Sequence, residues 1–216
     1  MAADMAAQVK AVLLDGMGTL VRLVPPAPAL AASLGVDIAT AERAFDAEVG
    51  YYLEHQLEGS DQAGLADLRR RSAAVLAEVA GVPAERGLDA LMGSLRFEAF
   101  DDVAPALMDL RERRLRLVVV SNWDWTLSDV LGGLGLLPLL DAVVTSAEVG
   151  AAKPERAIFE AGLAAAGCAA ADAVHVGDSA VNDVEGARAA GIHPLLLARE
   201  GGGDLRSLEE LPALLS

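Results

Sequence analysis

The chain has 216 residues, 53% of them hydrophobic and 23% charged, enough apolar material for one large or two small packed domains and too much for a disordered chain. Its 17 Lys and Arg face 32 Asp and Glu, giving a net charge of −15 and a pI near 4.5, a field that repels nucleic-acid phosphates and anionic lipid. The single cysteine, Cys168, excludes an internal disulfide and a cysteine-cluster zinc site, and fits a reducing, cytoplasmic setting.

In chain order, MAADMAAQVK lacks a basic stretch ahead of an apolar run, so no signal peptide is expected. Val9–Leu14 then reads as a buried strand. From LVPPAP at 23–28 to EAFDDVAP at 98–105 the periodicity is helical, with turn signals near Gly35, Gly59 and Gly81-Val82-Pro83. This stretch, 23–100, is expected to be a helical insert whose two ends are hinges. Four further aliphatic runs read as buried parallel strands: Leu115–Val120, Ala142–Thr145, Ala173–Val176 and His193–Leu197. They alternate with helical patterns, two of which stop at Gly167 and Gly191. Cys168 lies in an Ala-rich helical pattern and reads as a small apolar filler. The apolar stretch LGGLGLLPLL at 131–140 is too short to span a bilayer. The expected fold class is therefore α/β, a Rossmann-like parallel sheet built from 1–22 and 101–216, interrupted by the helical insert.

Four segments begin where an expected strand ends: Asp15 in LLDGMGTL, Ser121-Asn122 in VVVSNWD, Lys153 in GAAKPE, and Asp178 with Asp183 in HVGDSAVND. In an open parallel sheet the ends of the strands line the ligand crevice, so the four converge on one edge. Each segment alone has a plainer reading. Asp15 suits a turn, Asn182 or Asp183 a helix cap before 183–190, Ser121 or Asn122 a cap before Leu127–Leu131, and His175 a satisfied core histidine.

Lys153 is harder to explain that way. It is one of only two lysines, with Lys10, and precedes Pro154, which suits the first position of a helix 154–166. A cation at a helix N-terminus is unfavourable unless an anion joins it. Three carboxylates against one ammonium also leave surplus negative charge, which a hard divalent ion such as Mg2+ bridging to a phosphate would balance. Neither lysine has a P-loop context, Val21 stands where a dinucleotide fingerprint needs its third glycine, and no Gly-x-Ser-x-Gly elbow exists.

The ordered set Asp15-x-x-Gly18-Thr19-Leu20, Ser121-Asn122, Lys153-Pro154 and Gly177-Asp178-Ser179-x-x-Asn182-Asp183 resembles the haloacid dehalogenase superfamily of hydrolases, with 23–100 similar to its helical C1 cap. The resemblance implies a nucleophile at Asp15 that forms an aspartyl intermediate. It implies that the Ser121 hydroxyl and Asn122 amide grip the oxygens of the transferring group while Lys153 neutralises them. It also implies Mg2+ held by Asp15, the main-chain carbonyl of Met17, Asp178 and Asp183, and a small phosphorylated substrate.

Phosphatases of this family carry a second aspartate two residues after the nucleophile, where this chain has Met17. The acid that protonates the leaving oxygen is thereby lost, which points to weak activity or to acyl phosphates and anhydrides, whose leaving groups need no proton. Phosphonatases lack this acid too, but they use a cap lysine, and 23–100 has none. The P-type ATPases are membrane proteins with large insertions. Two alternatives stand: a metal-independent 2-haloacid dehalogenase, against which Asp178 and Asp183 argue by repelling a carboxylate substrate, and a catalytically impaired phosphate-binding pseudoenzyme.

For the insert, Tyr51, Tyr52 and His55 share one helical turn and suit helix packing, and Arg69-Arg70-Arg71 suits a solvated face. Trp123, beside Asn122, is the better candidate for lining the crevice.

Overall fold

The computed structural model describes residues 9–215, and the leader-free reading of the first residues concerns positions largely outside that range. Packing divides the chain into two units, one running up to Arg22 and resuming at Ala99, the other Leu23–Glu98.

The first unit is an α/β domain. Its strands β1 (Ala11–Leu14), β4 (Arg116–Ser121), β5 (Ala142–Thr145), β6 (Ala173–Gly177) and β7 (His193–Leu196) form one parallel sheet in the order β5-β4-β1-β6-β7. Two short strands, β2 (Val21–Leu23) and β3 (Phe97–Ala99), pair separately where the chain passes between units. The central strands are buried on both faces, as their unbroken aliphatic runs require; in β1 every residue is 0% exposed. Leu13, Val118 and Val120 pack with Ile158 and Phe159 of α8 (Arg156–Ala166), the helix that follows the lysine loop. The other helices of this unit are α5 (Val103–Glu112), α6 (Leu127–Gly133), α7 (Ser146–Val149), α9 (Gly186–Ala189) and α10 (Leu211–Leu214).

The second unit contains α1 (Ala27–Leu34), α2 (Ile38–His55), α3 (Gln62–Ala80) and α4 (Ala84–Ser94) around an Ala- and Leu-rich core that includes Leu30, Leu76 and Leu91. Asp37 and Asp61 cap α2 and α3 by accepting the N–H groups of Thr40 and Gly64. Tyr51 stacks on His55 at 4.1 Å, and its hydroxyl accepts a 2.7 Å hydrogen bond from Arg71, which also pairs with Glu58 and Asp67. Among the described residues no helix is long and apolar enough to cross a membrane.

The helical unit ends at Glu98, and Phe100 donates its N–H to Leu20 at 3.2 Å and lies under the guanidinium of Arg199 at 3.6 Å. Two local expectations are corrected. The helix expected at 154–166 begins at Arg156, with Glu155 as its N-cap. The helix expected at 183–190 is a π-helical turn, Ala180–Glu185, followed by α9. Ser179, not Asn182 or Asp183, caps that turn, its hydroxyl accepting the Asn182 N–H at 3.1 Å.

Candidate active site

The register of the sheet places the chemistry. Leu14 is level with Val119 of β4 and Val176 of β6, so Asp15, Ser121 and Asp178 emerge together at the strand C-termini. The Asp15 N–H still bonds the Val176 carbonyl at 2.9 Å, which holds the turn after β1 against β6. Carboxylate oxygens of Asp15, Asp178 and Asp183 lie within 4.8 Å of one another.

Lys153 is buried between two of them. Its ammonium donates to Asp15 Oδ1 at 2.5 Å and to Asp183 Oδ1 at 2.6 Å. The Ser121 hydroxyl donates to the same Asp15 oxygen at 3.3 Å. These residues, with Met17, Asn122, Asp178, Ser179 and Asn182, line a cavity of about 130 Å³. Asp15, Met17, Ser121, Asn122, Lys153, Asp178 and Asp183 are therefore brought to one crevice.

The charges are unevenly compensated. Burial works against the Lys153 ammonium, but Asp15 and Asp183 outweigh it and keep its pKa raised. Burial also works against the Asp183 carboxylate, yet hydrogen bonds from His175 and Lys153 hold it below the usual carboxylate range. The surplus falls on the other two. Burial first, then the charge of Asp183, raises the Asp15 carboxyl despite Lys153. Asp178 is open to solvent on one side, but loss of surrounding water and the Asp15 and Asp183 carboxylates raise it to about 6. An all-oxygen donor set with one solvent-facing carboxylate and unbalanced negative charge fits a hard divalent cation.

Backbone contacts fix the loops. The Asn122 side-chain amide donates to the Lys153 carbonyl at 3.0 Å and accepts the Lys153 N–H at 2.7 Å. Gly18 has φ +81°, and a Cβ there would lie 2.0 Å from Asp178 Oδ2, so the loop after Asp15 passes the Asp178 carboxylate only because position 18 has no side chain. Arg199 donates to the carbonyls of Gly18 (3.5 Å) and Thr19 (2.8 Å) and to Asp102 (2.9 Å), bracing the same loop from behind.

Two of these supporting residues escape sequence reasoning. Arg199 stands beyond the last strand with no motif around it. His175 reads as a core histidine; it is buried, but its Nε2 bonds Asp183 Oδ1 at 2.8 Å. Trp123, expected to line the crevice, is instead 7% exposed and absent from the cavity wall, its backbone N–H donating to the Ser146 hydroxyl at 3.1 Å.

A model of haloacid dehalogenase-like hydrolases matches residues 9–191. Haloacid dehalogenase-like hydrolase domain-containing protein 3 of Mus musculus is 42% identical over 102 residues, 47% of this chain and 41% of that protein. Glyceraldehyde 3-phosphate phosphatase of Methanothermobacter thermautotrophicus is 37% identical over 105 residues, 47% of this chain and 45% of that protein. The matched region thus spans less than half the length of either relative. The L-2-haloacid dehalogenase structure from Xanthobacter autotrophicus superposes with a TM-score of 0.72 at 20% identity, covering 96% of this chain and 98% of that one, a likeness of fold.

Proposed function

The chain belongs to the haloacid dehalogenase-like hydrolases, and on that premise we propose that it is a Mg2+-dependent phosphohydrolase working through an aspartyl phosphate on Asp15. The observation that carries this reading is the buried Lys153 ammonium shared between Asp15 and Asp183, with Asp178 beside them.

In the proposed reaction Asp15 Oδ1 is engaged by Lys153 and Ser121, so attack on phosphorus falls to Oδ2. The new bond joins that oxygen to phosphorus as the bond to the leaving oxygen breaks. Ser121, the Asn122 N–H and Lys153 stabilise charge on the phosphoryl oxygens. Mg2+, held by Asp15, the Met17 carbonyl, Asp178 and Asp183, would neutralise the surplus carboxylate charge and polarise a phosphoryl oxygen. Water then attacks the aspartyl phosphate, releasing phosphate and restoring Asp15. Met17 has no proton to give or take, so leaving groups that depart as stable anions, carboxylates or phosphates, are favoured over alkoxides. In this reading the helical unit 23–98 acts as the cap.

The test is hydrolysis of a phosphate ester and acyl phosphate series graded in leaving-group pKa, with and without Mg2+, alongside 2-chloropropionate. Mg2+-dependent turnover that falls steeply as the leaving group becomes more basic is the expected result. Metal-independent chloride release would instead assign a dehalogenase, and inactivity on both series a phosphate-binding pseudoenzyme.

A further inference from the structure

We propose that His175 is a positioning residue for the site, fixing the Asp183 carboxylate from inside the sheet so that Asp183 and Asp15 hold Lys153 between them. The inference rests on the phosphohydrolase reading for its consequence, but the interaction itself is independent of it.

His175 lies in the middle of β6, level with Leu13 of β1, and is 0% exposed. Its ring meets the edge of Phe159 at 5.1 Å in the apolar layer beneath α8. A polar ring in such a layer is costly unless it is bonded, and an aliphatic residue would fill the space without that cost. Among the described residues the ring makes one hydrogen bond, to Asp183 Oδ1. An ionised carboxylate can only accept, so Nε2 carries a proton and donates it to Asp183 Oδ1. Nδ1 is buried without a partner. The ring is thus fixed as a donor directed at one oxygen.

That oxygen needs fixing. Asp183 sits in a π-helical turn, not in a strand, and its orientation depends on contacts beyond the turn. Ser179 N–H holds Oδ2 at 3.0 Å, while Lys153 and His175 converge on Oδ1. Without His175, Lys153 would be the only donor left to Oδ1 in this set. A bare Cβ on Gly177 would fall 2.1 Å from Asp183 Cγ, so the carboxylate is also pressed closely against the end of β6. His175 therefore supports a ligand-bearing carboxylate from behind, as outer-sphere partners do at other metal sites.

Two measurements decide it. In metal-free, ¹⁵N-histidine-labelled protein, the imidazole signal missing from His175→Gln is assigned among the three histidines. A protonated Nε2 at neutral pH is expected, and a bare Nε2 with the proton on Nδ1 overturns the proposal. Calorimetric titration with Mg2+ then compares variants. His175→Leu should weaken Mg2+ binding roughly 10–100-fold, the range typical for lost outer-sphere partners, while His175→Gln, whose amide reaches the Nε2 position, should stay within about 3-fold of wild type. Should His175→Leu fail to fold, His175→Asn replaces it, since that shorter amide cannot reach Asp183. Equal binding by the leucine or asparagine variant and wild type overturns the proposal, as does a glutamine variant as weak as they are. A wild-type protein that takes up no Mg2+ rejects the metal-dependent reading instead, and the imidazole spectrum alone then decides the role of His175.

Discussion

The side-chain amide of Asn122 clasps the backbone of Lys153 on both sides, donating to its carbonyl and accepting from its N–H. The residue that follows the serine of β4 thus anchors the Lys153 backbone through its side chain. It sets where the lysine loop begins, and with it the reach of the Lys153 ammonium to Asp15. Asn122→Ala should leave the fold intact but displace Lys153, and misplacement of about 1 Å can cost on the order of 10²-fold in turnover. The loss should appear in kcat more than in KM, measured with an acyl phosphate. Asn122→Asp, which can still accept the Lys153 N–H but cannot donate to its carbonyl, should fall between alanine and wild type.

Asp15→Asn removes the proposed nucleophile while keeping its shape. Mg2+-dependent phosphate release should drop to the level without enzyme, and no phosphorylated protein should be recoverable after acid quench of a burst with labelled substrate. Retention of full turnover in this variant would falsify the aspartyl-phosphate mechanism. Lys153 keeps Asp183 as a partner in the variant, so a collapse of the fold is not expected to account for the loss.

Asp178 makes a prediction about stability. Its carboxyl, ordinarily near 3.8, is raised to about 6 in the folded protein by lost hydration and by Asp15 and Asp183. A raised acid binds its proton more tightly when folded. The metal-free protein therefore loses stability from this group as pH rises from the unfolded value through about 6, and the penalty is constant above that. Asp178→Asn should accordingly raise the Tm of metal-free protein at pH 7.5 and converge with wild type below pH 4, followed by calorimetry. With saturating Mg2+ the order should reverse, because the variant gives up a ligand along with the repulsion.

The sheet and the crevice were legible because both depend on local pattern. The aliphatic runs at Leu13, Val118 and Val174 face apolar layers on both sides, and the site residues stand immediately after them. What the sequence concealed depends on contacts between distant residues. The helix after Lys153 starts only at Arg156, and Asn122, 31 positions away, ties down the Lys153 backbone ahead of it. The turn at Ala180–Glu185 widens into a π-helix around Asp183, which answers to Lys153 and His175 and not to capping propensity. Arg199 braces Gly18 and Thr19 across 181 and 180 positions, a relation that no local motif encodes.

Met17 gives the sharpest test, because it separates the grip on phosphate from proton transfer. The residue is 37% exposed and lines the cavity, and its backbone pairs as an isolated bridge with Val21. The space it occupies is thus open to water and to a substrate's leaving group, and a carboxylate there need not be buried. On the proposed mechanism, Met17→Asp should leave the Asp15–Lys153–Asp183 contacts in place while supplying an acid and, for the second step, a base. General acid–base catalysis is worth about 10²–10⁴-fold, so turnover on alkyl phosphates should rise toward that range. Acyl phosphates, whose leaving groups already depart as anions, should gain only in the hydrolysis of the aspartyl phosphate. The dependence of rate on leaving-group pKa should therefore flatten in the variant. An unchanged slope would mean that some other group, or ordered water, already delivers the proton, and the preference for good leaving groups would then need a cause other than Met17.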